Sequence, residues 1–182
     1  PEWLYSYTVS ASVNSTTASV LASDPAGNNY SGTDSFTLTI DNIVPTVTLA
    51  DTDANNIVVG ANVVTITATF SEAMASAPTI NITGEVSNVA MTASSTADVW
   101  IYPWTVSTTT SGIVSATVAG TDLSGNAFAG TTSITFTIDN TAPTVTLTDT
   151  DPNNIVAGSN VVTITATFSE AMAVTPTINI TG

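Results

Sequence analysis

The sequence contains no lysine, arginine, histidine or cysteine. Without cationic side chains it cannot attract a phosphate backbone or an anionic lipid surface, so we expect no nucleic-acid partner. Without histidine and cysteine it lacks an imidazole base, a thiolate nucleophile and the usual zinc ligands. Long apolar runs are missing too, since no stretch approaches the roughly 20 residues of a membrane-spanning helix. We therefore expect that the protein is not an enzyme and does not insert into a membrane.

The charge that is present has one sign: 14 Asp and Glu residues give a net charge of −14. With no internal cation to pair with, these carboxylates repel one another, and metal cations are their natural partners. Hydrophobic residues make up 43% of the chain, and Thr, Val and Ile are abundant. This composition is typical of a β-rich globular chain rather than a disordered one.

The organising feature of the sequence is a repeat with an offset of 98 residues, because the stretch 41–84 returns almost unchanged as 139–182. Both copies begin Asp-Asn-x-x-Pro-Thr-Val-Thr-Leu, contain Asn-Val-Val-Thr-Ile-Thr-Ala-Thr-Phe-Ser-Glu-Ala-Met, and end Pro-Thr-Ile-Asn-Ile-Thr-Gly. Residues 1–40 match residues 100–138 with one single-residue gap. An offset of this size is the length of a sandwich domain rather than of a solenoid repeat.

Hydrophobic and polar residues alternate within the stretch 43–140, which is the pattern of half-buried strands. In 63–70, for example, Val64, Ile66, Ala68 and Phe70 are predicted to face inward. The inward positions predicted on six further strands are Val47 and Leu49; Ile80 and Ile82; Val89 and Met91; Trp100, Tyr102, Trp104 and Val106; Val114, Ala116 and Val118; and Ile134, Phe136 and Ile138. Seven short strands between Gly, Asn, Asp and Ser turns predict an all-β fold, a β-sandwich of the immunoglobulin type.

The two Asp-Asn-x-x-Pro sequences, at 41–45 and 139–143, are predicted to be junctions between repeats. Proline removes a ladder donor and holds the preceding residue extended, which suits a linker. We therefore predict three segments. Residues 1–42 are the C-terminal half of a repeat, residues 43–140 are a complete repeat, and residues 141–182 are the N-terminal half of the next.

Three short motifs carry a resemblance to a known family: Thr-Phe-Ser-Glu-Ala-Met, the Asp-x-x-Gly-Asn loop at 122–126, and the Asp-Asn-x-Ala-Pro junction at 139–143. Together they resemble the bacterial Ig-like repeats of large cell-surface adhesins. The resemblance implies tandem immunoglobulin-like β-sandwiches with about seven strands per repeat, in an extracellular stalk at the cell surface that is often rigidified by calcium. Its expected partners are neighbouring repeats of the same polypeptide.

The acidic residues that fall in loops are predicted to gather at the junctions, because an up-and-down strand course places each loop at one pole of the sandwich. Calcium takes six to eight oxygen ligands, and converging carboxylates without a cation would be costly. The predicted calcium ligands are Asp41, Glu72 and Asp122 at one junction, and Asp51, Asp53, Asp139 and Glu170 at the other. The alternative is that these acids only form turns, since Asp and Asn side chains bond their own backbone.

The sequence favours a structural function, a stalk segment that spaces and rigidifies a secreted or surface-attached adhesin. One alternative is a subunit of an extracellular filament or surface layer, in which other copies of the chain join by strand donation. Another is a glycan-binding module built on the aromatic residues of 100–104, although alternating aromatics more often line a core. Catalysis by Asp51 and Asp53 as a paired acid and base has no other sequence support.

Overall fold

The computed structural model describes residues 1–9 and 15–181, and the protein is all-β. The described residues contain no helix, and so none that could cross a membrane. The chain divides into two compact units, Pro1–Asp139 and Asn140–Gly182. This boundary falls one residue before the predicted one, whereas the predicted division of the first unit at residue 42 stays a prediction.

Thirteen strands lie in the described part of the chain. They are β1 (Ser15–Ser19), β2 (Ser35–Thr39), β3 (Val47–Asp51), β4 (Ile57–Val58), β5 (Val63–Phe70), β6 (Thr79–Ile82), β7 (Val86–Ala90), β8 (Thr92–Ala93), β9 (Val99–Thr105), β10 (Gly112–Ala119), β11 (Ser133–Ile138), β12 (Val145–Asp149) and β13 (Ile164–Phe168). In the first unit, β3-β5-β9-β8 form a four-stranded sheet and β4-β11-β10-β6-β7 a five-stranded one. The pairs β1-β2 and β12-β13 form separate two-stranded sheets.

One hydrophobic core joins the inner faces of the four-stranded and five-stranded sheets. The alternation predicted for β5 is confirmed, with Val64, Ile66, Ala68 and Phe70 buried between more exposed neighbours. Trp104 of β9 meets Phe136 of β11 across the core, with ring centroids 5.2 Å apart. On each sheet every second residue is buried, so one face of the sheet is removed from water. Burial of this apolar surface is the main force that holds the two layers together.

The structure departs from the predicted strands in two places. Residues 43–140, all of them described, contain nine strands rather than seven, because β4 and β8 are separate two-residue strands. After β3 the chain turns at Asn56, whose φ is 57°, and crosses to the other sheet, where β4 pairs parallel with β11. Val89, which was predicted to face inward, lies on edge strand β7 opposite Ile80 of β6 and is 42% exposed.

The two-stranded sheets repeat the pairing of the complete stretch. Strand β12 pairs with β13 as β3 pairs with β5, so that Leu147 lies opposite Ala166 just as Leu49 lies opposite Ala68. Strand β1 likewise pairs with β2 in the register of β10 with β11. The repeated sequence therefore forms the same local hydrogen-bond ladders in both places, although among the described residues the buried core that covers them lies around β3 to β11.

Candidate metal centre

Three segments of the first unit meet beside the C-terminal end of β5. The Ser71 N–H donates to the Thr46 carbonyl, and the Thr46 N–H donates to Ser71 Oγ, each over 2.9 Å. On the other side, the Ala75 N–H donates to the Thr121 carbonyl over 2.8 Å. These contacts hold the loop 71–75 between the junction segment 41–46 and the loop 121–127.

The same contacts gather three carboxylates. One oxygen from each of Asp41, Glu72 and Asp122 lies within 4.8 Å of the other two. Asp41 and Glu72 are half-buried, and Asp122 is fully buried. In the part of the chain that the structure describes, no second group of three acidic side chains lies this close. The structure thus brings together the three residues predicted for the first junction, and their role as metal ligands stays a prediction.

Asp122 is held by its own turn. Its Oδ1 accepts hydrogen bonds from the backbone N–H groups of Ser124 and Asn126, each over 2.8 Å, and its Oδ2 accepts one from Asn126 Nδ2 over 2.9 Å. Burial raises the pKa of Asp122, but hydrogen bonding by Asn126, Ser124 and Gly125 outweighs it and holds the pKa below its ordinary 3.8. Asp122 is therefore a buried group that stays ionised at neutral pH.

The turn at 122–126 also donates hydrogen bonds to the junction segment 41–46. Ser124 Oγ donates to Asp41 Oδ2 over 3.1 Å, and Asn126 Nδ2 donates to the main-chain oxygen of Asp41 over 3.2 Å. Asp41 Oδ1 accepts from the Ile43 N–H over 2.9 Å, which closes a local turn. The amide of Asn126 thus bridges two of the three acidic residues and fixes the distance between them.

Glu72 is the member of the group whose charge is least compensated. Its carboxylate accepts no hydrogen bond from the described residues. Burial raises the pKa of Glu72, and the negative charges of Asp41 and Asp122 raise it further, above its ordinary 4.5. Turn formation accounts for Asp122 and Asp41, but it does not account for a third carboxylate placed against them.

The donor set fits a calcium ion. Calcium binds oxygen ligands at about 2.3–2.6 Å, so ligands on opposite sides of one ion are separated by up to about 5 Å. The 4.8 Å limit on the three carboxylate oxygens lies within that span. Asp122 Oδ1 already accepts two hydrogen bonds, but Asp122 Oδ2 and both oxygens of Asp41 and of Glu72 each keep a lone pair that an ion can use. No cationic side chain exists anywhere in the sequence to neutralise them instead.

The loop 24–28 shows what the Asp-x-x-Gly-Asn motif does by itself. Asp24 accepts from the N–H groups of Ala26 and Asn28 over 2.9 and 2.8 Å, and from Asn28 Nδ2 over 2.7 Å. The Asn28 side chain, then its backbone N–H, lowers the pKa of Asp24 below its ordinary 3.8. This turn belongs to no close acidic group among the described residues. The motif therefore encodes the turn, and the added carboxylates create the candidate metal centre.

Asp51 and Asp53, predicted for the other junction, are engaged in a ladder of turns. Asp51 Oδ1 accepts from the Asp53 N–H over 2.8 Å, and Asp53 Oδ1 accepts from the Asn55 N–H over 3.1 Å. The same bonds recur at Asp149 and Asp151. These contacts are those of the turn-forming alternative, and among the described residues Asp51 and Asp53 belong to no close group of three acidic side chains.

The other two residues of that predicted group lie in different units. The Asp139 N–H donates to the Val58 carbonyl over 2.9 Å in the first unit, and Glu170 is exposed in the second. Ser169 and Thr144 hold the loop before Glu170 as Ser71 and Thr46 do in the first unit, each bond being 2.9 Å. Convergence of Asp51, Asp53 and Asp139 with Glu170 stays a prediction.

The raised pKa of Glu72 leads to a pH prediction. The folded state holds the Glu72 proton more tightly than the unfolded state does. The free energy of unfolding therefore falls as the pH rises from 4.5 through the raised pKa. In chelator, Glu72→Gln is therefore expected to melt at a higher temperature than wild type at pH 7, and the difference should vanish near pH 4. Thermal scans at both pH values measure it. A variant less stable than wild type at pH 7 would contradict the proposed repulsion.

Sequence reasoning missed the residues that position the acids. Ser124 aligns with Ala26 in the other Asp-x-x-Gly-Asn loop, so the repeat carries no signal for its contact with Asp41. Asn126 aligns with Asn28, which indicates the turn but not the second hydrogen bond that reaches the junction segment. The Thr46–Ser71 contact has a clearer signal, since Thr and Ser occupy the equivalent positions 144 and 169.

Comparison of the chain with protein-family models, curated proteins and solved structures found no match.

Proposed function

We propose that this chain is a stretch of a tandem stalk of immunoglobulin-like β-sandwiches in a bacterial cell-surface adhesin, stiffened by calcium. The observation that carries the proposal is the convergence of Asp41, Glu72 and Asp122, which joins a junction segment to two loops of the complete repeat. The repeated register of β3-β5 and β12-β13 supports a tandem array of one structural unit. Two packed sheets with a shared core support the sandwich.

Calcium gives the junction its stiffness in this proposal. Without it, three carboxylates repel one another across the contact between the 41–46 segment and the loops at 72 and 122. A bound ion turns that repulsion into attraction, so the linker is held against the following sandwich. Each repeat contributes roughly 40 Å, from strands of about 3.3 Å per residue and one junction, and a stiff array of such units spaces a terminal domain away from the cell.

The proposed stalk makes a direct prediction for the native polypeptide. In the cells that produce this sequence, an antibody against the chain is expected to detect a polypeptide far larger than 18.4 kDa and to label intact cells in calcium. Immunoblotting and surface labelling measure the two properties. Detection only at 18.4 kDa, or labelling only after lysis, would contradict the stalk while leaving calcium binding to be judged by itself.

Asn126 offers a sharp test of the calcium site. Asn126→Ala removes the amide that bridges Asp122 and Asp41, and loss of such a supporting bond typically weakens metal affinity about 10–100-fold. We expect wild-type calcium affinity at roughly 10⁻⁴–10⁻³ M, the range of extracellular modules, and the variant to be weaker by that factor. Titration calorimetry with calcium chloride on the full chain measures both.

Asn28→Ala is the matched control for this prediction. It removes the corresponding amide from Asp24 in a turn of the same geometry, but no acidic group converges there among the described residues. Its calcium affinity is therefore expected to equal that of wild type. Equal weakening by both variants would assign the effect to general loss of turn structure, and weakening by neither would remove Asn126 from the site.

A further inference from the structure

In the complete repeat, a strand near the start of the chain segment is bonded directly to the strand at its end. Strand β4 pairs parallel with β11, with Ile57 opposite Thr137 and Val58 opposite Ile138. Every other strand pair among the described residues is antiparallel. The parallel pair therefore links the two ends of the repeat without any strand between them.

Three printed-length hydrogen bonds hold β4 and its flanking residues to β11. The Thr137 N–H donates to the Asn56 carbonyl over 2.8 Å. The Asp139 N–H donates to the Val58 carbonyl over 2.9 Å, and Asn56 Nδ2 donates to the Thr135 carbonyl over 3.1 Å. The Val58 side chain is 1% exposed and belongs to the core, so packing anchors β4 as well.

Parallel pairing determines how these bonds respond to a pull on the two ends of the repeat. Two parallel strands run in the same direction, so the chain enters β4 at one end of the pair and leaves β11 at the opposite end. A pull on both sides slides one strand along the other. Hydrogen bonds between strands run across them, so all the bonds of the pair bear a sliding pull together. A sideways pull instead opens a pair from one end and breaks its bonds one at a time.

We propose that the β4–β11 pair is a mechanical clamp that resists unfolding of the complete repeat when the chain is under tension. The inference rests on the proposed function, because an adhesin stalk transmits tension through the repeat from the junction at 41–45 to the junction at 139–143. Forced unfolding is governed by the unfolding rate and not by the free energy of unfolding alone. The clamp is therefore expected to set that rate.

The clamp and the candidate metal centre involve different residues. Asp41, Glu72 and Asp122 form the acidic group, and none of them belongs to the β4–β11 pair. Pulling experiments in chelator therefore test the clamp without the ion. Failure of the clamp would leave the proposed stalk to be judged separately, by the size and surface location of the native polypeptide.

The first test pulls the full chain between handles at its two termini, in chelator and at constant force in magnetic tweezers. Unfolding of residues 43–139 is recognised by a gain in contour length of about 30 nm. Thr137→Pro removes the N–H that donates to the Asn56 carbonyl. Because that N–H faces β4, the proline takes no donor from the ladder between β10 and β11. The variant is expected to unfold about 3–10-fold faster than wild type.

Asn56→Gly is the milder variant of the clamp. Glycine readily adopts the φ of 57° found at this position, and the change removes the amide that donates to the Thr135 carbonyl. It is expected to unfold about threefold faster than wild type under the same force. Asn154→Gly is the matched control, because Asn154 has a φ of 56° at the equivalent position of the second unit. It is expected to leave the unfolding rate of the first unit unchanged.

The second test changes the direction of the pull. With handles at Ser111→Cys and at the C terminus, the pull reaches β10 and β11 at the same end of their ladder, since Gly112 lies opposite Ile138. The chain has no other cysteine, so the attachment is specific. This pull opens the sheet sideways, and the first unit is expected to unfold at least about tenfold faster than under an equal force between the termini.

Faster unfolding of Thr137→Pro and Asn56→Gly between terminal handles, with Asn154→Gly unchanged, would support the clamp. Rates equal to wild type in both clamp variants would overturn it. So would a first unit that unfolds no faster when pulled from Ser111→Cys than when pulled from its termini. If Thr137→Pro does not fold, so that its unfolding step is missing, Asn56→Gly and the direction of the pull decide the outcome.

Discussion

Ile66→Ala is expected to lower the free energy of unfolding of the first unit by about 2–5 kcal/mol. Ile66 is fully buried between Tyr102 on β9 and Asp51 on β3, and its side chain belongs to the core shared by both sheets. Truncation therefore removes buried apolar surface and leaves a cavity that the surrounding side chains cannot fill without strain. Urea unfolding followed by tryptophan fluorescence measures the loss, since Trp104 is buried in the same core.

The repeat provides a control with identical chemistry. Ile164→Ala makes the same change at the equivalent position of β13, where the side chain is 41% exposed. Its effect on the free energy of unfolding of the first unit is expected to stay within about 0.5 kcal/mol, as for surface substitutions generally. Equal destabilisation by the two variants would contradict the assignment of the continuous core to β3 through β11.

Much of the first unit was predictable because its sequence pattern and its burial agree. The eight residues of β5 alternate strictly, and a one-residue slip would turn Ile66 and Phe70 out to solvent, so the inward face is strongly specified. The proline after each Asp-Asn pair marked the chain entry into β3 and β12. Pattern reasoning succeeds where one face of a strand is buried over several residues.

Other features depend on contacts that alternation does not encode. Strand β4 has two residues, too few for any period, and it exists because the turn ending at Asn56 delivers the chain to the edge of β11. The exposure of Val89 reflects an edge strand with a neighbour on one side only. Strand position within a sheet is a tertiary property, and no local pattern distinguishes β7 from a central strand.

The candidate metal centre was likewise predictable from the sequence in part. The up-and-down strand course predicts the pole of the sandwich at which each loop lies. This was enough to predict that Asp41, Glu72 and Asp122 approach one another, because each lies at the end of a recognisable strand. The same reasoning assigned Asp51 and Asp53 to a metal site, which stays a prediction, since among the described residues they belong to no close group of three acidic side chains. Sequence places an acid at a pole of the sandwich, but how many acids converge there depends on how the loops pack against one another.

Calcium is expected to raise the free energy of unfolding of the first unit by about 2.7 kcal/mol at a hundredfold excess over its dissociation constant. The site is assembled from residues 41, 72 and 122, so the unfolded chain does not hold it and the ion binds the folded state selectively. For a unit of this size the shift corresponds to a rise in melting temperature of roughly 5–20 °C. Scanning calorimetry in calcium and in chelator measures it.

Two salts separate binding from general screening in that experiment. Sodium chloride at matched ionic strength also relieves repulsion among the 14 carboxylates, so the part of the shift due to binding is the excess over sodium. Magnesium requires shorter ligand distances of about 2.0–2.1 Å and gives up its water reluctantly. It is expected to fall between sodium and calcium. Equal shifts in all three salts would reduce the acidic group to a screened surface cluster.

Glu72→Gln is the sharpest test of the calcium prediction, because its effect on stability is expected to change sign when calcium is added. In chelator the variant is expected to be more stable than wild type, since it lacks the carboxylate that burial and its acidic neighbours oppose. In saturating calcium it is expected to be less stable, because it has lost a charged ligand and most of the calcium-dependent increment. Glu2→Gln removes the same charge from an exposed position outside the group, so it should leave the calcium increment unchanged. Melting curves that keep wild type and Glu72→Gln in the same order with and without calcium would exclude Glu72 as a ligand.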